Sequence, residues 1–364
     1  MEQQVKLLPY GVADFVTVIE QNLYYVDKTM FIPELEKQPR NLFFIRPRRF
    51  GKSIFLSMLY SYYDCTQSHK FQSLFGNLWI GQHPTPLQGK YQVLFLDFSQ
   101  ITGNIDKLET KFNSYLSINL DAFVRQYSEY YQAEMEEILA QEDFEEKMEL
   151  IFKAAKAHQY HLYLIIDEYD NFTNVILNER GEKVYHAITH ADGFYRDVFK
   201  KFKGNFERIF MMGVSPVTLD DVTSGFNIGW NISIKPEFDE MLGFSTTDVV
   251  EMFTYYKKHG SIPADSDIDA IVNDMKPWYD NYCFAKQALK KKTRMFNCDM
   301  VLYYLRNYMD AGCPPEEMID PNTRTDYGKM KKLLQFDKLD GERKGIIRKI
   351  AEEEQIVTQL YESF

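Results

Sequence analysis

The sequence predicts an α/β fold in which a parallel β-sheet lies between layers of helices, followed by a mostly helical C-terminal part. Two observations support this prediction. Four short apolar runs lack the apolar–polar alternation of a half-exposed strand, and such runs are typical of strands buried on both faces. Longer stretches with helical spacing separate the runs, and strands that alternate with helices form parallel sheets.

The four apolar runs lie in the first two thirds of the chain. They are Leu42 to Ile45, Val93 to Phe98, Leu162 to Asp167 and Ile209 to Val214. Each has the length of a strand. We therefore predict four strands that are covered on both faces.

Helical spacing fills the stretches between the predicted strands. The sequence predicts a helix over Ser53 to Tyr63, one or two helices within residues 105–140, and an amphipathic helix over residues 143–157. These helices would cover the two faces of the sheet.

The pattern changes after Ile234, where the spacing becomes mostly helical and Lys235-Pro236 interrupts the chain. We therefore predict a domain boundary near residue 236. The first domain covers residues 1–235, and the second, helical domain covers residues 236–364.

Composition limits the class of protein. The 364 residues suffice for two domains, and 45% hydrophobic with 26% charged residues is ordinary for a globular protein. The net charge of -11 disfavours a surface built to coat nucleic acid, although a local basic patch remains open.

The cysteines and the apolar runs bear on location. The four cysteines show no C-x-x-C spacing and are interpreted as free thiols in a reducing compartment. No apolar run approaches the roughly 20 residues of a membrane helix, and the N-terminus lacks a secretory pattern. We expect a cytoplasmic protein.

The stretch FFIRPRRFGKSIFL, residues 43 to 56, places Gly51-Lys52-Ser53 between a predicted strand and a predicted helix. A phosphate-binding loop needs converging backbone N–H groups, a lysine that reaches the outer phosphates and a hydroxyl that ligates magnesium. Such loops carry another glycine five positions before the second one, where this chain has Arg46. By itself the tripeptide is a weak signal, because it also arises by chance.

An acidic pair strengthens the prediction. The run LYLIIDEYD ends a predicted strand with Asp167-Glu168. An aspartate at the tip of the neighbouring strand can hold the magnesium shell, and the adjacent glutamate can orient or deprotonate an attacking water. The alternative is a solvated turn after a core strand.

Arg46 precedes Pro47, which pushes its backbone towards extended conformations. The loop can therefore leave the strand extended and reserve glycine for position 51. The side chains of Arg46, Arg48 and Arg49 could face the phosphates, a partner or solvent. We predict that Arg48 or Arg49 points away from the nucleotide and contributes to a partner surface, because a basic cluster on an acidic chain attracts anionic groups.

Several motifs together resemble a known family: RPRRFGKS, with LPYGVADF and YYVDKTMFI before it and LFLDFS, LIIDEYD and GVSP after it. They look like the AAA-ATPase-like proteins abundant in Bacteroidetes, which are similar to archaeal-type STAND P-loop ATPases. The resemblance runs from about Leu8 to Phe364, and arginine in place of the first glycine is the pattern of that family.

The resemblance implies a P-loop fold that binds ATP and Mg²⁺. The implied catalytic residues are Lys52, Glu168 and Ser215, and the implied magnesium ligands are Ser53 and Asp167. The implied nucleotide contacts are Arg46, Pro47, Arg48, Arg49, Phe50, Gly51, Lys52, Ser53 and Ile54. Ser215 would sense the γ-phosphate, or its hydroxyl caps the turn before Pro216.

The resemblance also implies features around the site. Val12 and Phe15 would wall an adenine pocket, and the VDKT motif matches without a physical account of Asp27 and Lys28. The C-terminal part resembles the helical lid of the family, with departures at Asn281 and Asn297-Cys298. Many relatives continue into a PD-(D/E)XK nuclease domain, which would begin about where this chain ends.

These observations predict a Mg²⁺-dependent ATP-binding protein that hydrolyses ATP as a conformational switch or motor for an unknown partner. The alternative is a regulatory or scaffold module that holds nucleotide without hydrolysing it, with a possible link to nucleic-acid processing. The partners considered are ATP, a second copy or another protein, and nucleic acid, but no membrane.

Overall fold

The computed structural model describes residues 4–101, 107–171, 176, 193–214, 229–280, 282–291 and 294–321. Within these residues, five parallel strands form one sheet in the order β2-β3-β4-β1-β5. The strands are β1 Asn41–Ile45, β2 Gln92–Asp97, β3 Leu162–Asp167, β4 Arg208–Gly213 and β5 Trp230–Asn231. The four predicted strands are confirmed to within one residue at each end, and β5 was not predicted.

Nine described α-helices of at least four residues accompany the first four strands. They are α1 Phe15–Glu20, α2 Phe31–Glu36, α3 Lys52–Tyr63, α4 Phe71–Phe75, α5 Trp79–Gln82, α6 Leu108–Gln126, α7 Met135–Ala140, α8 Phe144–His158 and α9 Phe194–Asn205. The predicted helices correspond to α3, to the pair α6 and α7, and to α8, and all are confirmed.

The C-terminal part is mostly helical where it is described. Its helices are α10 Thr246–Lys258, α11 Ile268–Tyr279, α12 Lys286–Lys291 and α13 Cys298–Ala311. A reciprocal cap between Ser245 and Asp248 starts α10, because each side chain accepts a hydrogen bond from the backbone N–H of the other residue.

The sheet is covered on both faces, which explains why its strands are apolar throughout. Along β3, Leu164 and Ile166 pack with α6, α8 and α9, whereas Tyr163 and Ile165 pack with α3 on the opposite face. Side chains alternate between faces along a strand, so a doubly covered strand needs apolar residues at every position. Each fully buried aliphatic side chain stabilises the fold by about 1.5–3 kcal/mol relative to the same side chain exposed to water.

The sheet order corrects one expectation. Strand β3, which ends at Asp167, is not the neighbour of β1, because β4 pairs with both. The order of strands along the chain does not determine their order in the sheet. All these strands are parallel, so the residues that follow β1, β3 and β4 still meet at one edge of the sheet.

A third hydrophobic core, besides those on the two faces of the sheet, joins the N-terminal segment to the C-terminal helices. Buried residues of α10, α11 and α13 form this core, and Val5, Leu8, Tyr24 and Val26 pack against it. The N–H of Lys6 donates to Tyr255 Oη over 2.9 Å. The N-terminal segment therefore contacts the helical part. The domain boundary near residue 236 remains a prediction from the sequence.

Two further observations concern the cysteines and the length of the helices. All four cysteines are free thiols. Within the described part of the chain, no helix has the length and apolar character that a membrane crossing requires.

Candidate functional site

The loop between β1 and α3 has a backbone that only certain residues adopt easily. Gly51 caps α3 with φ of 85°, in the left-handed region that glycine enters at little cost. Arg49 has φ of 68° and is one of four described non-glycine residues with positive φ. The N–H of Arg46 donates to the carbonyl of Gly213 over 3.2 Å, which fixes the loop to the end of β4.

Lys52 lies inside this loop. Its side chain is 5% exposed, and its Nζ donates to the carbonyls of Pro47 over 3.1 Å and Arg46 over 3.3 Å. Glu168 Oε1 lies 3.9 Å from Lys52 Nζ. Burial lowers the pKa of Lys52, and the charge of Glu168 opposes this effect. The loop therefore holds a desolvated ammonium group at the first residue of α3.

Ser53 and Asp167 are in direct contact although 114 positions separate them. Ser53 Oγ donates to Asp167 Oδ2 over 2.6 Å, and Asp167 Oδ1 accepts the N–H of Glu168 over 2.9 Å. Burial raises the pKa of Asp167, while the hydrogen bond from Ser53 opposes it. The structure thus places a hydroxyl and a carboxylate side by side, and Mg²⁺ prefers such oxygen ligands.

Glu168 has φ of 53°, so the chain turns sharply where β3 ends. A left-handed conformation costs a non-glycine residue about 1–3 kcal/mol, and such strain clusters at functional sites. Burial raises the pKa of the Glu168 carboxyl, and Lys52 opposes this rise. The carboxylate therefore accepts a proton more readily than an exposed glutamate does.

Asp170 is a site residue that the sequence reasoning missed. It is fully buried, and its two carboxylate oxygens accept the N–H of Val214 over 3.1 and 3.2 Å. A Cβ on Gly213 would lie only 2.6 Å from Asp170 Oδ1. Asp170 therefore fixes the end of β4, immediately before Ser215, which lies outside the described residues. A second aspartate three positions after Asp167 was the available signal.

A cavity of about 450 Å³ lies between the N-terminal segment, the loop and the start of α13. Its volume is within the range of small-molecule sites. Val12 lines it, whereas Phe15 is buried beside Tyr25 and Phe75. Seven of the nine predicted nucleotide contacts line it: Arg48, Arg49, Phe50, Gly51, Lys52, Ser53 and Ile54. Arg46 and Pro47 do not.

A larger cavity of about 660 Å³ lies above β2, and Ser53 and Asp167 line it. Asp97, Asn119 and Gln126 contribute polar groups to its lining. This cavity lacks Gly51 and Lys52, so the smaller cavity is the better candidate for a phosphate chain.

Residues 9–223 match the protein family described as Predicted AAA-ATPase. The chain belongs to this family. The matched range includes the loop, the acidic pair and Asp170, so the expected family is confirmed. That members of this family abound in Bacteroidetes and often carry a C-terminal nuclease domain remains an expectation from the resemblance.

A curated relative comes from Azotobacter chroococcum mcd 1, described as an uncharacterized protein in the vnfD 5' region. It is 26% identical over 293 residues, which cover 78% of this chain and 50% of the relative. The chain therefore spans half the length of this relative, which gives no activity to carry over.

The VDKT motif now has a physical account. Asp27 accepts hydrogen bonds from the N–H of Thr29 and from the N–H of Trp79, which begins α5. Lys28 Nζ lies 2.8 Å from Asp248 Oδ2, in the cap of α10. The motif therefore ties the N-terminal segment to the α/β part through Asp27 and to the C-terminal helices through Lys28.

The side chain of Arg46 does not lie at the cavity. It is 1% exposed, and its guanidinium donates to the carbonyls of Ile45, Ser233 and Phe238 over 2.8–2.9 Å. The rings of Phe44 and Phe284 lie on it at 3.9 and 3.8 Å. Burial lowers its pKa to about 9, and the charge of Asp239 opposes this.

The buried side chain of Arg46 therefore stabilises the loop. We expect Arg46→Ala to lower the free energy of unfolding by about 3–5 kcal/mol, because the change leaves buried carbonyls without donors and opens a cavity. Urea unfolding measures this loss. Arg48→Ala, on an exposed side chain of the same loop, is the control. Equal stability of the Arg46→Ala and Arg48→Ala proteins would contradict this role.

Proposed function

We propose that this protein binds ATP in the smaller cavity, with Mg²⁺ at Ser53 and Asp167, and hydrolyses it. The observation that carries the proposal is the 2.6 Å contact between Ser53 and Asp167 beside the buried ammonium of Lys52. Membership of a family of predicted ATPases supports it. A solvated turn after β3 would not need Asp167 to contact Ser53 and lie beside Lys52, which are 114 and 115 positions earlier in the chain.

Each residue has a distinct role in this proposal. Backbone N–H groups at the start of α3 and the ammonium of Lys52 bind the phosphates. Ser53 and Asp167 hold Mg²⁺, which neutralises phosphate charge when bound. In the described residues no cluster of three or more potential ligands forms a complete metal site. Phosphate oxygens and water would therefore complete the shell, as is usual for Mg²⁺.

Glu168 orients the attacking water and accepts its proton. Its raised pKa brings it closer to the operating pH, which favours general-base catalysis. The ammonium 3.9 Å away balances part of its charge. Asp170 contributes indirectly by fixing the strand end before Ser215, for which we retain the role of γ-phosphate sensor.

The direct test is release of inorganic phosphate from ATP by the purified protein, with Mg²⁺ and then with excess chelator. The proposal expects release that stops with the chelator. ATP binding without release would favour the alternative, a regulatory or scaffold module. Absence of ATP binding by the folded protein would refute both.

The pH dependence of turnover is a further prediction. The carboxyl pKa of Glu168 lies above its ordinary value of 4.5, so the carboxylate is available only above that raised pKa. Turnover should therefore fall as the pH decreases through it, although an exposed glutamate would still be ionised. The residual turnover of Glu168→Gln should lack this acid limb, and an identical limb in that variant would place the titrating group elsewhere.

Hydrolysis would reset a conformational state that a partner reads. A second copy or another protein fits an acidic chain better than nucleic acid does, because the net charge is -11. The cytoplasm, which supplies ATP, is the compartment that we propose.

A further inference from the structure

The first turn of α13 is in contact with the phosphate loop. Asn297, which caps α13, donates from Nδ2 to the carbonyl of Arg48 over 3.4 Å. Cys298 Sγ is 3.9 Å from the position that a Cβ on Gly51 would take. The C-terminal helices therefore reach the loop at the start of α13, beside the cavity.

An ion pair closes this contact. Arg49 Nη1 lies 2.6 Å from Asp299 Oδ2, and the two side chains are 38% and 23% exposed. The pair joins the phosphate loop to the second residue of α13, 250 positions further along the chain. Arg49 thus has a partner within its own chain. The prediction that Arg48 or Arg49 contributes to a surface for an external partner remains a prediction.

Both members of the pair line the cavity assigned to ATP. A guanidinium binds phosphate oxygens at least as well as it binds a carboxylate, through charge-assisted hydrogen bonds. A carboxylate repels phosphate at short range. A triphosphate in this cavity would therefore compete with Asp299 for Arg49 and would leave Asp299 facing another anion.

We propose that Arg49 exchanges Asp299 for a phosphate group when ATP binds, and that this exchange releases the first turn of α13 from the loop. The proposal rests on the proposed function of the cavity. It makes Arg49 a phosphate-binding residue and Asp299 a brake on ATP affinity. Because linkage is reciprocal, an ion pair that ATP binding weakens must in turn weaken the binding of ATP. The C-terminal helices would thus report whether the cavity is occupied.

Calorimetry with Mg²⁺ and a non-hydrolysable ATP analogue tests the exchange in four proteins: wild type, Asp299→Asn, Arg49→Gln and the double variant. Asp299→Asn should bind the analogue about three- to fivefold more tightly, the range expected from one partly exposed ion pair. The gain should shrink when residue 49 is glutamine, because no pair then has to break. Adenosine, which lacks phosphates, should bind all four proteins alike.

Hydrogen exchange follows the helix itself. In wild type the analogue should speed exchange at the amides of the first turn of α13. In Asp299→Asn that exchange should be fast before the analogue is added. Slower exchange in wild type on binding would mean that the contact tightens, and it would overturn the release.

A matched control removes a similar charge elsewhere. Asp121 pairs with Lys147 between α6 and α8 over 2.5 Å and lines neither cavity, so Asp121→Asn should leave affinity for the analogue unchanged. An Asp299→Asn protein that binds no tighter than wild type, or gains equally in the Arg49→Gln background, overturns the exchange while the ATP site stands. If none of the folded proteins binds the analogue, the proposed function fails and the exchange fails with it.

Discussion

Lys52→Ala should weaken ATP binding by at least about 30-fold, the smaller of the losses measured when one partner of a buried charge pair is truncated. Its ammonium is buried in the loop, where it donates to two carbonyls that alanine cannot reach. Low exposure makes a charge contact with phosphate strong, because little water screens it. Calorimetry with wild type and variant measures the loss.

Arg48→Ala is the control for that experiment. Arg48 lies four positions earlier in the same cavity lining, but its side chain is exposed. Water and salt screen an exposed charge, so we expect a loss of no more than about threefold. Equal affinities of the wild-type and Lys52→Ala proteins would refute the assignment of this loop to the phosphates.

The parts of the fold that the sequence predicted share one property. Strands buried on both faces are apolar at every position, so β1 to β4 were recognisable without knowing what covers them. Strand β5 has two residues, Trp230 and Asn231, which is too short for any pattern. The insertion of β4 between β1 and β3 depends on packing between distant segments, which residue periodicity does not record.

The candidate site divides in the same way. The chemistry of Lys52, Ser53 and Asp167 follows from residue type and from position after a strand, and the contact between Ser53 and Asp167 fits that prediction. The direction of Arg46 does not follow from residue type. Its acceptors at Ser233 and Phe238 are more than 180 positions away, so a loop arginine that stabilises the fold cannot be told in advance from one that binds phosphate.

The same reasoning applies to Asp27 and Lys28. Both were visible as a motif, but their meaning depends on Trp79 and Asp248, which belong to other parts of the chain. Their contacts explain why these two side chains differ in role although they are adjacent. One holds the α/β part, and the other holds the C-terminal helices.

Glu168→Gln should lower ATP turnover by about 10²–10⁴-fold, the usual contribution of a positioned base. ATP affinity should stay within about threefold of wild type, because glutamine keeps the shape and the phosphate contacts of Lys52 remain. The left-handed backbone at position 168 is unchanged by this substitution. Single-turnover phosphate release and calorimetry on the same preparation separate the two quantities.

Two further variants make this result specific. Glu207→Gln makes the same chemical change beside His161, at the start of β4 and therefore at the opposite edge of the sheet, and it should keep wild-type turnover. Asp167→Ala should instead lose the part of ATP affinity that depends on Mg²⁺, because it removes the carboxylate beside Ser53. If Glu168→Gln hydrolyses ATP at the wild-type rate, another group activates the water. The carboxylate of Glu168 would then serve only to balance the charge of Lys52.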